Sequence, residues 1–167
     1  YCTFVDCKSL TSVALSNTLT TIGGYAFDNC ESLTSITIPS SVTSIESAFD
    51  GCTFVKEKFI NHSSLDAEAN NYWGAKIADI EIDGVLIKND AVIDCRPNVT
   101  SITIPNSVNE IKYGAFEDCS SLTSITIPNS VYEIGYNAFE DCSSLTSITL
   151  PNRIYSINSY TFKGCSS

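Results

Sequence analysis

Residues 119–142 read CSSLTSITIPNSVYEIGYNAFEDC, and close copies of this string recur through the 167-residue chain. Within it, Ser124 to Ile127 alternates small polar and β-branched residues with period two, the pattern of a short strand with one dry face. Pro128 ends that strand where the loss of a backbone donor is tolerated, and Pro39, Pro105 and Pro151 stand at the same place in other copies. Asn129-Ser130 has turn chemistry, after which Val131 and Ile134 point back inward. The stretch from Gly135 to Asp141 is expected to make one helical turn that inserts Ala138 and Phe139. One copy cannot close a core by itself. Copies stacked in parallel, about 4.8 Å apart, can.

Cysteine marks the period. Cys7, Cys30, Cys52, Cys95, Cys119, Cys142 and Cys165 follow one another at steps of 23, 22, 43, 24, 23 and 23 residues. A fixed period of this length predicts a repeat solenoid of short parallel strands, turns and short helical segments. Phenylalanine recurs with the same period at Phe4, Phe27, Phe49, Phe116, Phe139 and Phe162, and Phe27, Phe49, Phe116, Phe139 and Phe162 are expected to form the structural core.

The long step from Cys52 to Cys95 breaks the pattern, and Phe54 to Trp73 matches no copy well. A loop with a short helix over Ser64 to Ala69 is expected there, and then a returning strand with Ile77, Ile80 and Ile82. Asp83-Gly84 reads as a turn before a β-hairpin over Val85–Ile93. The organisation predicted is therefore one continuous solenoid. It has N-terminal repeats over 1–52, a degenerate repeat or insertion with a hairpin over 53–94, and C-terminal repeats over 95–167. Both chain ends fall inside a repeat, so the array is expected to be part of a longer one.

Leu122, Ile125 and Ile127, with Leu10, Val13, Leu15; Leu33, Ile36, Ile38; Val99, Ile102, Ile104; and Leu145, Ile148, Leu150, follow L-x-x-L-x-L spacing. The extension P-x-x-V-x-x-I-x-x-x-A-F-x-x-C accompanies it. Over about three quarters of the chain this pattern resembles the BspA-like leucine-rich repeat family of bacterial surface proteins. The resemblance implies a right-handed leucine-rich-repeat superhelix that is extracellular or on the cell surface, and a non-enzymatic role in adhesion.

Charge narrows the partners. The net charge is −10 with only nine Lys and Arg, which argues against nucleic acid or an anionic membrane, since both require a concentrated basic face. No apolar run approaches the roughly 18 residues of a membrane span, so membrane insertion of this segment is not expected. A protein ligand remains, whether host extracellular matrix or another bacterial surface protein, as does a glycan.

Little in the chain points to catalysis. His62 is the sole histidine, lies in a polar loop and has no evident nucleophile to activate; the serines lack a G-x-S-x-G context; and the glycines are scattered. No catalytic residue, metal or cofactor is therefore assigned. Asp79, Glu81 and Asp83 alternate on one strand face, which suits calcium oxygen ligands but suits a solvated face better. Seven of the eight cysteines share one repeat position and read as buried free thiols, with disulfides between rungs as the alternative; metal pairs such as C-x₂-C are missing.

Two surfaces stand out instead. Ser124, Thr126, Ser147 and Thr149, with their counterparts in other copies, would form rows of hydroxyls on the outer sheet face. Tyr113, Tyr132, Tyr136, Tyr155 and Tyr160 enrich the C-terminal repeats, with Tyr132 and Tyr155 at equivalent positions, as are Tyr113 and Tyr136. Exposed tyrosines are good interface anchors. The function expected is a protein-interaction or adhesion module. The alternatives are a structural spacer or stalk and, less favoured, a glycan- or ice-binding surface.

Overall fold

Three rows of contacts tie each rung around Phe139 to its neighbours. In the first row Ser101–Thr103, Ser124–Thr126 and Ser147–Thr149 pair in parallel, with Ser101 opposite Ser124 and Ser124 opposite Ser147. Ile102 and Ile125 face the core while the flanking hydroxyl residues face out, as the period-two alternation requires. In the second row Glu110–Ile111 pairs in parallel with Glu133–Ile134.

The third row runs through the phenylalanine turn. The N–H groups of Gly114, Phe116 and Asp118 donate to the carbonyls of Tyr136, Ala138 and Glu140 at 3.1, 2.8 and 2.9 Å. Those of Asn137, Phe139 and Asp141 donate to Ser159, Thr161 and Lys163 at 3.4, 2.8 and 2.7 Å. The helical turn expected over Gly135–Asp141 is thus absent. Asn137 and Asp141 adopt φ of +57° and +56°, so alternate donors point along the stack axis instead of closing bonds within a helix. Left-handed backbone suits Asn, Asp and Gly. The residue two places after each Phe is one of these three in every copy: Asp6, Asn29, Gly51, Asp118, Asp141 and Gly164.

The computed structural model describes residues 1–167, which form two compact units, Tyr1–Ala78 and Asp79–Ser167. In the first unit, Phe4, Phe27 and Phe49 donate across the turn to Ala26, Ala48 and Trp73 at 2.8, 2.9 and 3.1 Å. Thr21–Ile22 pairs with Ser44–Ile45, Ile36–Ile38 with Phe59–Asn61, and Thr53–Val55 with Lys76–Ala78, all in parallel. The stretch that matched no copy therefore builds a rung after all, with Phe59 opposite Ile36 and Trp73 accepting the bond that Ala48 accepts one rung earlier. The helix expected over Ser64–Ala69 is replaced by bends and turns, because the Asn61 and Ser63 side chains bond the local backbone. A 3₁₀ turn follows at Asn71–Gly74.

The second unit begins with an antiparallel meander, Ile80–Ile82, Val85–Lys88 and Ala91–Cys95. Its last strand turns parallel, with Ala91 opposite Glu110 and Val92 opposite Ile111, and so serves as the first member of the second row. The turns fall at Asp83-Gly84 and Asn89-Asp90, where φ is positive at all four residues.

Phenylalanines fill each interior. Phe4, Phe27 and Phe49 stack with ring centroids 5.3 and 5.4 Å apart, and Phe116, Phe139 and Phe162 with 5.0 and 5.4 Å. Phe27, Phe49, Phe116 and Phe139 are buried, Phe162 is half-buried, and Phe4 is exposed. In the first unit the stack ends edge-on against Phe54 and Phe59, and Phe59 lies against Trp73.

Cysteine completes the rung contacts. The thiols of Cys30, Cys52, Cys142 and Cys165 donate to the carbonyls of Phe4, Phe27, Phe116 and Phe139 in the preceding rung, at 3.0–3.2 Å. Cys119 makes no such bond. Val92 stands where that Phe would be, and its carbonyl takes the Lys112 N–H at 2.9 Å. Cys119 forms a disulfide with Cys95 instead, which corrects the expectation of free thiols for that pair; the other six cysteines are free. Burial pushes the Cys52 and Cys142 thiols up to about 12.

Phe139→Ala is expected to cost about 3–5 kcal/mol in a denaturant melt, and Thr126→Ala, on the outer face, less than about 0.5 kcal/mol. Alkylation under denaturing, non-reducing conditions should label six cysteines and leave Cys95 and Cys119 joined in the peptide map. The unfolded chain loses its thiol protons near the ordinary value of 9.0, while folded Cys52 and Cys142 keep theirs to about 12. Stability measured by melts should accordingly fall as pH rises through that window.

Candidate interaction surface

The strand rows carry the two candidate surfaces of the second unit on different sheets. Ser101, Ser124 and Ser147 form one exposed column on the first row, and Thr103, Thr126 and Thr149 form another. Ser124 and Ser101 share a hydrogen bond at 3.1 Å. At the edge of the row, the hydroxyls of Thr123 and Thr146 donate to the carbonyls of Thr100 and Thr123, so these threonines are spent on holding rungs together.

The tyrosines bracket the second row. Tyr132 enters the Glu133–Ile134 strand, and its N–H donates to the Asn109 carbonyl at 3.0 Å; Tyr113 and Tyr136 follow the strands of adjacent rungs. Tyr155 and Tyr160 belong to the next rung, where the Lys163 ammonium lies 5.5 Å from the Tyr160 ring centre. All five are exposed, from 51% for Tyr132 to 94% for Tyr155. Equivalent tyrosines do not stack on one another: the ring pairs of this unit are Phe116–Phe139 and Phe139–Phe162. The five phenol rings therefore make no ring–ring contact, and the Tyr160 ring carries the Lys163 ammonium.

Charge is arranged among these rings. Lys112 bonds to Glu110, and that bond holds its ammonium above the ordinary lysine range, with the Glu110, Glu133 and Tyr132 groups adding to the effect. Glu133 lies opposite Glu110 in the strand register, but the residue after Ile134 is Gly135, where the preceding rung has Lys112. A Cβ at Gly135 would come within 2.6 Å of the Tyr113 nitrogen, so only glycine fits there. Residue types alone had marked the tyrosines but not this acidic position. The substitution of Gly135 for lysine within the repeat was the available signal.

The remaining candidates are otherwise employed. Asp79 accepts the Asn89 N–H at 2.9 Å, and Glu81 pairs with the buried Arg96 at 2.8 Å. The alternating carboxylates therefore support the meander rather than face a common ligand. His62 lines an open groove of about 710 Å3 in the first unit with Val13, Leu15, Asn17, Thr37, Pro39 and Ser40, a lining with neither thiol nor carboxylate. No helix is long and apolar enough to cross a membrane.

Comparison with known proteins places this architecture. Among solved structures the chain is similar to a leucine rich cell surface protein from Faecalibacterium prausnitzii A2-165, with 31% identity over 95% of this chain and 40% of that one and a TM-score of 0.56. It is also similar to the leucine rich repeat protein TpLRR of T. pallidum, with 26% identity, coverage of 88% and 49%, and a TM-score of 0.38. For a leucine-rich repeat protein from Bacteroides ovatus ATCC 8483 the values are 23%, 98% and 49%, and 0.46. The chain thus spans less than half the length of each. No curated protein sequence matches it. The BspA type leucine rich repeat region matches in six copies, over residues 1–96 and 85–167. With the rungs, the phenylalanine stacks and that match in agreement, the chain belongs to the BspA-type leucine-rich repeat family.

Proposed function

We propose that the chain is an interaction module of a bacterial surface protein, and that it binds a protein ligand through the tyrosine-bearing turns of its second unit. The observation that carries this reading is the group of five exposed tyrosines, Tyr113, Tyr132, Tyr136, Tyr155 and Tyr160, around one short strand row. Tyrosine offers large contact area at a small cost in side-chain entropy, and interface anchors are enriched in it. The family membership and the surface protein of Faecalibacterium prausnitzii support an extracellular location. Host extracellular matrix and other bacterial surface proteins are the ligand classes that fit such a location. The hydroxyl columns of Ser124, Thr126, Ser147 and Thr149 form a second, flatter face suited to polar contacts with a glycan.

Surface plasmon resonance against a panel of matrix proteins tests the reading. Binding by the native chain, weakened at least tenfold by Tyr132→Ala with Tyr155→Ala, is the expected result. Unchanged binding in that double variant would exclude the tyrosine face. No binding to any protein of the panel would favour a spacer.

A further inference from the structure

We propose that Glu133, with Tyr132 next to it in the chain, is the docking point for a lysine or arginine side chain of the protein partner, in the place that Lys112 fills one rung earlier. This rests on the preceding reading and names the chemistry of the partner. The repeat itself supplies the argument. Glu110 and Glu133 are register partners on adjacent rungs. Glu110 holds Lys112, two residues further along its own strand. Glu133 has Gly135 at that position, and the close approach of the Tyr113 and Lys112 backbone forbids any side chain there. The chain therefore cannot supply a second cation from within the rung.

The result is one ammonium for two carboxylates: Lys112 pairs with Glu110, and Glu133 and the Tyr132 phenol act on it only through their charge. Glu133 is exposed and makes no ion pair, and Arg153 of the next rung makes none with it. An incoming ammonium or guanidinium would meet a carboxylate with no ion pair of its own and, next to it in the chain, the exposed Tyr132, a combination that favours a cation. The second unit already shows this pairing once, where Lys163 lies over the Tyr160 ring. The net charge of −10 draws a basic segment toward the chain over a longer range.

The test uses the full chain and a fluorescent Gly/Ser peptide carrying two arginines, the same peptide with lysines, and a citrulline version as the uncharged control. Fluorescence anisotropy at low salt should show the arginine and lysine peptides binding and the citrulline peptide not. Amide shifts in NMR should centre on residues 132–136. Glu133→Gln should weaken binding about three- to tenfold, the size of an exposed ion pair reinforced by an aromatic face. Glu57→Gln, which removes the same charge from the first unit, should leave it unchanged. Lys112→Ala, which removes the competing internal ammonium, should tighten it.

Binding that is absent in the native chain, equal for the citrulline peptide, unaffected by Glu133→Gln, or reduced equally by Glu57→Gln would overturn the proposal. The two readings also separate. If the tyrosine double variant loses a matrix protein that Glu133→Gln still binds with native affinity, the interaction face stands and the cation site falls.

Discussion

Each rung of this protein is held by backbone hydrogen bonds that run along the stack through the phenylalanine turn, and the rest of the architecture follows from them. Left-handed residues at the two ends of the turn, as at Asn137 and Asp141, leave every second N–H aimed at the neighbouring rung, so the turn behaves as a third strand row. With the turn held in register, each Phe ring must lie over the equivalent ring, and centroid separations of 5.0–5.4 Å follow. The cysteine three residues after each Phe then brings its thiol within reach of the Phe carbonyl of the preceding rung. Stacking by repetition thus needs no long-range pairing: each rung contacts its neighbours, and the chain can lengthen without redesign.

The exceptions obey the same constraint. Between Cys52 and Cys95 the rung positions persist while their occupants change, so Phe59 and Trp73 take the work that Ile and Ala perform elsewhere. A larger aromatic set closes the end of the Phe4–Phe27–Phe49 stack by edge-on contacts. In the meander, Val92 occupies the site of a Phe and its carbonyl accepts the Lys112 N–H. Cys119 departs there from the thiol-to-carbonyl bond of the other rungs and is joined to Cys95 by a disulfide.

Functional variation sits where the constraint is slack. Positions that face the interior repeat with little change, whereas the residues flanking the second strand row vary from Asn109 to Tyr132 to Tyr155 and from Lys112 to Gly135 to Asn158. Tyr132 and Tyr155 are exposed, whereas Asn158 returns to the stack through a 2.7 Å bond from its side-chain amide to the Ile134 carbonyl. Gly135 is the partial exception, since the neighbouring backbone excludes a side chain there. That exclusion leaves Glu133 without the neighbouring lysine that Glu110 has in the preceding rung.

Period and polarity in the sequence determined the rungs, the strand rows, the ladder of Phe and the outward hydroxyls, because each is a local pattern repeated at a fixed interval. The alternation in Ser124–Ile127 could only place Ile125 inside and the hydroxyls outside. The tertiary structure alone decided three things. It replaced a helical turn by one with left-handed residues at Asn137 and Asp141, since the bonds that favour it cross to another rung. It recovered a rung in the aromatic stretch after Cys52, where burial preserved positions that residue identity had disguised. It joined Cys95 to Cys119, because which two thiols meet depends on how the last strand of the meander is seated beside the following rung, and no local pattern in the chain carries that placement.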